Sequence, residues 1–218
     1  MRTLTALLCL SIAAPAALTA QTTAAVSFTN GGSLTGHFVD DGHYYVGDYS
    51  GTVNGHAVTL NCVDFFHEVS NGQAWTGNVT NLTSSNMGNT YYGNAQNYQQ
   101  AAFLTTFYAG ASDKTTIDIQ HAIWRIVGGN NPALYGNDAS SLFTDGATKW
   151  LNCAATKYNS GLDCDGHAYA VDYSHFELLS DPTKGHQEFM TTTPEPSSMA
   201  LLGTGLFGLV PMIRRKRK

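Results

Sequence analysis

The hydrophobic period of this chain changes twice, and that change limits its fold more than any other feature. From Ala25 to Asp64 apolar residues alternate with polar ones, in VSFTN, SLTGHFVD, YYVGDYSGTV and HAVTLNCVD. A period of two marks half-buried strands. From about Tyr98 to Tyr158 the spacing lengthens. Ala101, Leu104 and Tyr108 fall on one helical stripe, with Phe103 and Phe107 beside them. Thr116, Gln120, Ile123 and Val127 fall on another, with Ile119 and Trp124 adjoining. Ser112 is placed to cap this second helix and Gly128-Gly129 to stop it. Ala147 to Ala155 predicts a third helix, and from His167 onward AYAVDYSHFELL and HQEFMTT return to strand character. Strands, helices and strands again predict an α+β fold, a β-sandwich or barrel carrying a helical insertion.

Local signals refine this. Val53-Asn54-Gly55-His56 predicts a type I′ hairpin, because Asn-Gly accepts positive φ angles. Asp41-Gly42 is a second turn, and the polar segment Gly77 to Gln96 reads as a long loop or a set of short irregular strands. Val58, Leu60 and Cys62 alternate with Thr59, Asn61 and Val63, so Cys62 shares a face with two aliphatic residues and should point inward.

The two ends carry an address. Met1-Arg2, an apolar run from Leu4 to about Ala17 and then Leu18-Thr19-Ala20 have the layout of a secretory signal peptide over residues 1–20. The body is then residues 21–193. At the other end, in residues 194–218, Ser197 to Ile213 is free of charge and just long enough to span a bilayer. Five consecutive basic residues follow, which would hold that end in the cytoplasm. A C-terminal transmembrane helix is the expectation. Pro194-Glu195-Pro196, small polar residues, a Gly-containing apolar run and a basic tail together resemble the PEP-CTERM sorting signal of exported bacterial proteins. That resemblance implies an exosortase as processing partner. It also implies a membrane anchor before processing, and a cell-surface or extracellular location afterwards.

Charge removes one class of function. The body keeps five basic residues against fifteen acidic ones, a formal net charge of −10. So few cations cannot neutralise many phosphates, so no nucleic-acid partner is expected. His37, His43 and His67-Glu68 lack metal-ligand spacing, and Asp163-Cys164-Asp165-Gly166-His167 lacks a calcium-loop pattern and reads as a turn. The sequence has no nucleophile elbow, P-loop or dinucleotide fingerprint. No metal or cofactor is expected, and without an assignable acid–base pair the chain is not expected to be an enzyme. Trp75, Tyr44, Tyr45, Tyr91 and Tyr92 could stack on sugars or simply pack.

Cysteine arithmetic singles out one residue. Once Cys9 leaves with the signal peptide, Cys62, Cys153 and Cys164 remain, an odd number in an oxidising compartment. Cys153 and Cys164 bracket a short Gly-containing loop that could close as a disulfide, leaving Cys62 unpaired. Cys62 is then a small core residue, an exchange partner for Cys153 or Cys164, or an intermolecular link.

Leu60-Asn61-Cys62-Val63-Asp64-Phe65, taken with Ile119-Gln120-His121-Ala122-Ile123-Trp124, resembles the paired motifs of thioester domains in bacterial surface adhesins. The second motif is complete. The first carries Asn61 where the family usually has an aromatic residue or leucine. The resemblance implies a strand cysteine joined to a helix glutamine, here Cys62 to Gln120, within a β-barrel or sandwich bearing a helical insertion. It gives Ile123 and Trp124 supporting places in the motif. Trp124, one turn beyond Gln120, could shield the bond. Asp64 either holds the helix motif by hydrogen bonding or caps a turn. His121 adjoins Gln120 and could assist proton transfer from an attacking nucleophile, but it points about 100° away on a helix, which favours a surface position.

Two functional expectations follow. The first is an adhesin-like surface protein whose thioester captures a nucleophile on an extracellular polysaccharide or a surface protein, one turnover per molecule. The alternative is a non-covalent polysaccharide-matrix binding or structural protein.

Overall fold

A computed structural model describes residues 23–32, 34–38 and 42–193. Six antiparallel strands close into a barrel: β1 (Thr23–Asn30), β4 (Asp48–Val53), β5 (His56–Cys62), β8 (Phe189–Thr192), β7 (Phe176–Ser180) and β6 (Ala74–Asn81), with β6 pairing back onto β1. Of the two expected β architectures, the barrel is the one formed. Strands β2 (Thr35–Phe38) and β3 (Gly42–Tyr45) make a separate hairpin. Helices α1 (Ala95–Thr105), α2 (Asp113–Gly128), α3 (Ala139–Leu142) and α4 (Asp145–Lys157) form one block inserted between β6 and β7. The predicted signal peptide, Asp41 and everything from Pro194 onward, including the expected transmembrane helix, lie outside the described residues. Among those described, no helix is long and apolar enough to cross a membrane.

Local chemistry sets the boundaries. The β4–β5 hairpin turns at Asn54 and Gly55, with φ of 51° and 79°, as a type I′ turn requires. Asn94, Ser112 and Thr144 accept hydrogen bonds from the backbone N–H groups of Asn97, Thr115 and Ala147, capping α1, α2 and α4. Helix α2 ends at Gly129, with Asp113 in its first turn and Arg125 in its last, the sense that its dipole favours.

Two cores share one wall. Val26, Phe28, Leu60, Cys62, Leu179 and Phe189 fill the barrel. Tyr98, Phe103, Leu104, Ile119 and Ile123 fill the helical layer, joined by Val63, Leu178 and Met190 from the outer face of the barrel. The β5–β8–β7 wall is therefore buried on both sides. That is why Val63, on the face opposite Cys62, is as fully buried as the cysteine itself.

Two strand expectations are corrected. Residues 77–81 belong to β6, a regular eight-residue strand, and the loop begins only after it. Trp75 and Gly77 occupy the buried positions of the alternation, and a glycine there hides the apolar period. Conversely, residues 168–175 are not a strand. They hold one isolated bridge, Leu162 with Ala168, and a 3-10 turn at Tyr173–His175. Tyr169, Val171 and Tyr173 pack against the helical core from an irregular segment, so their alternation reflects burial without strand pairing.

Candidate functional site

Cys62 closes strand β5, and its side chain is fully buried inside the barrel. Helix α2 runs between the two cores. Ile119, Ala122, Ile123 and Ile126 face the helical layer, whereas Trp124 joins the barrel cluster that contains Cys62. Gln120, one turn before Trp124, is also fully buried. Its amide is held from three directions. Nε2 donates to the Cys62 carbonyl at 2.8 Å, and Oε1 accepts from the Tyr108 hydroxyl at 2.9 Å and the Gly47 N–H at 3.4 Å. The Cys62 carbonyl can only accept and the Gly47 N–H can only donate, so these partners fix which way round the amide sits.

The sulfur has its own partners. The Cys62 thiol donates to the Asp64 carbonyl at 3.1 Å, and the Trp124 indole N–H points at Sγ from 3.4 Å. Burial, with Asp64 adding repulsion, pushes the thiol up to about 12, while the Trp124 N–H works in the opposite sense. Cys62 is thus a neutral thiol at physiological pH. Any attack it makes must release its proton in the same event.

Beside this pair lies a groove of about 580 Å³, walled by Tyr44, Tyr49, Phe65 and Trp124, with Glu68 and Asp138 among its polar residues. Trp124 therefore borders the groove while also touching the buried sulfur. Tyr44 lies 5.5 Å from Trp124 between ring centroids, and Phe65 meets the same indole edge-on at 5.4 Å. Trp75 is buried in the barrel core and stacked on His186.

Other residues singled out from the sequence take different places. His121 is not on the surface. It is 3% exposed, with Nε2 2.5 Å from the Tyr44 hydroxyl, because β3 passes over this side of α2. Burial lowers its imidazole to about 4, so it is neutral near pH 7. The Asp64 side chain does not reach α2. It accepts from Phe66 N–H at 3.0 Å and Tyr92 hydroxyl at 2.6 Å, and pairs with His67 Nδ1 at 2.6 Å. It therefore ties down the turn after β5, and only its backbone carbonyl meets Cys62. Ile123 packs in the helical core rather than beside the cysteine. A disulfide joins Cys153 of α4 to Cys164, leaving Cys62 as the free cysteine among the described residues. Asp163 accepts from the N–H groups of Asp165 and His167, closing an ordinary turn.

The residues that sequence reasoning missed are Gly47, Tyr108 and Glu188. Glu188 is fully buried, bonded to the hydroxyls of Tyr98 and Ser180 and to the Tyr91 N–H at 2.9 Å. A lone acid immediately before the apolar Phe189 and Met190 of β8 was the available signal.

Comparison with known proteins adds two findings. Residues 192–218 match the PEP-CTERM protein-sorting motif, so the chain carries the sorting signal by which exported proteins are processed by an exosortase and delivered to the cell surface. No curated protein matches the chain. Among solved structures, the N-terminal thioester domain of fibronectin-binding protein SfbI from Streptococcus pyogenes is similar at 9% identity and a TM-score of 0.40, over 82% of this chain and 97% of that one.

Proposed function

We propose that this exported protein is an adhesin-like surface protein that captures a target covalently through a thioester between Cys62 Sγ and the Gln120 side-chain carbonyl. The observation that carries the proposal is the clamped amide of Gln120, buried against Cys62 and held from three sides. An amide is a poor electrophile, so closure depends on orientation and on the exclusion of water. Both are supported by the full burial of the pair and by the Trp124 indole against the sulfur. Closure forms the sulfur–carbon bond and expels the amide nitrogen as ammonia, which carries away the thiol proton. An amine or hydroxyl on a partner then replaces the sulfur. The target remains on Gln120 and Cys62 becomes a thiol again.

Intact mass tests this. With the Cys153–Cys164 disulfide accounted for, the purified protein should be lighter than its sequence mass by one ammonia, about 17 Da, as displacement at the carbonyl requires. Methylamine should add to Gln120, and Cys62→Ala and Gln120→Ala should each abolish both effects. Full sequence mass together with inertness to methylamine would leave the non-covalent scaffold as the function.

A further inference from the structure

The groups that surround Gln120 Oε1 have a use beyond holding an amide. We infer that the Tyr108 hydroxyl and the Gly47 N–H form an oxyanion hole for the Cys62–Gln120 chemistry, with Tyr108 as a catalytic residue that the paired motifs do not contain. This inference rests on the thioester proposal and adds to it the groups that carry the developing charge.

Both bonds converge on the one atom that becomes negative. When Cys62 Sγ attacks Gln120 Cδ, the carbonyl π pair moves onto Oε1. The intermediate collapses by breaking the carbon–nitrogen bond, and ammonia leaves with the proton that began on sulfur. When an amine later attacks the thioester, the pair moves onto Oε1 again. Collapse now breaks the carbon–sulfur bond, and the proton lost by the amine ends on Cys62. Each direction therefore passes through an oxyanion at the same position. Two donors already stand there, at 2.9 Å from Tyr108 and 3.4 Å from Gly47. Preorganised donors of this kind strengthen as charge grows and need no rearrangement at the moment of reaction.

The surroundings favour that role. Tyr108 lies just beyond the end of α1, is 8% exposed and packs in the helical core, so its hydroxyl is fixed in position. Burial holds the phenol well above its usual value, so it remains a donor throughout the accessible pH range. Gly47 follows the β2–β3 hairpin with φ of 85°, and a Cβ there would stand 2.9 Å from the Thr116 methyl on α2. Glycine permits both the left-handed backbone and the close approach of this N–H to the helix. On the opposite side of the amide, the Nε2 bond to the Cys62 carbonyl at 2.8 Å keeps the leaving nitrogen away from the two donors.

The test is Tyr108→Phe in the exported, purified full chain, beside wild type, followed by intact mass during reaction with methylamine and during hydrolysis in buffer alone. Loss of one donor should slow aminolysis by roughly 10²-fold. Hydrolysis should slow by a similar factor, because water also places charge on Oε1. A Tyr108→Phe protein that folds, judged by its tryptophan fluorescence, yet stays at full mass would show the same loss in the closure step. A purely structural role predicts the opposite pattern, since a loosened pocket would admit water and speed hydrolysis. Wild type closed and Tyr108→Phe reacting at the wild-type rate would overturn the oxyanion assignment alone. Wild type at full mass would sink the thioester proposal, and this assignment with it.

Discussion

Glu188 and His121, both buried, pull the pH dependence of stability in opposite directions. Burial raises the Glu188 carboxyl from 4.5 to about 7, with Asp64 adding repulsion, although Ser180, Tyr98 and the Tyr91 N–H all donate to it. The folded protein thus holds this proton more tightly than the unfolded chain does. The stability it contributes is complete below pH 4.5 and is lost as the pH rises through 7. His121 runs the other way. Burial lowers it from 6.5 to about 4, against the opposing pull of Asp118 and a Ser141 backbone bond and with Arg125 and Lys114 adding repulsion. Its contribution is complete above pH 6.5 and is lost as the pH falls through 4. Each slope is about 1.4 kcal/mol per pH unit, so between pH 4.5 and 6.5 the two largely cancel. Glu188→Gln removes one of them while keeping a side chain of the same shape. Across those two pH units the variant should lose about 3 kcal/mol on acidification relative to wild type. His121→Gln should tilt the difference the other way. Urea titrations at pH 4.5, 5.5 and 6.5, followed by tryptophan fluorescence and extrapolated linearly, give the numbers. Groups common to both proteins drop out of the difference. A Glu188→Gln profile parallel to wild type over this window would refute the reasoning.

Two shorter predictions follow from the same chain. Replacing Cys153 and Cys164 by serine should cost roughly 3 kcal/mol in the same urea assay, the loop-entropy value for a closure spanning about eleven residues. Non-reducing peptide mapping should recover these two cysteines joined, with none linked to Cys62. In a host with the matching exosortase, the mature surface protein should lack the segment that follows Pro194-Glu195-Pro196, and a full-length tail on that protein would make the segment a permanent anchor instead.

What the sequence disclosed depended on how far apart the cooperating residues lie. The face shared by Val58, Leu60 and Cys62, the caps at Ser112 and Gly129 and the turn at Asn54-Gly55 are local, and each rests on the period or backbone preference of a few residues. Strand β6 was hidden because Gly77 takes one of its inward positions, so the apolar alternation skips a beat there. His121 was misjudged because helical spacing describes only α2, whereas its cover comes from Tyr44, 77 positions earlier. Gly47 and Tyr108 meet Gln120 only through the packing of a hairpin, a helix end and a second helix, so no spacing rule connects them. The paired motifs could suggest Cys62 and Gln120, but not the groups that hold the amide between them.

The position of β8 has a mechanical consequence. It is the last strand of the body, hydrogen-bonded to β5 on one side and to β7 on the other, and the sorting segment follows it in sequence. A tug applied at the C-terminal end of the body enters the barrel through β8 and, when directed along the strand, must shear both ladders together rather than peel one bond at a time. Asn61 and Cys62 are the β5 residues in register with Met190 and Phe189 of β8. The strand through which such a tug enters therefore lies directly beside the one that ends in the buried cysteine.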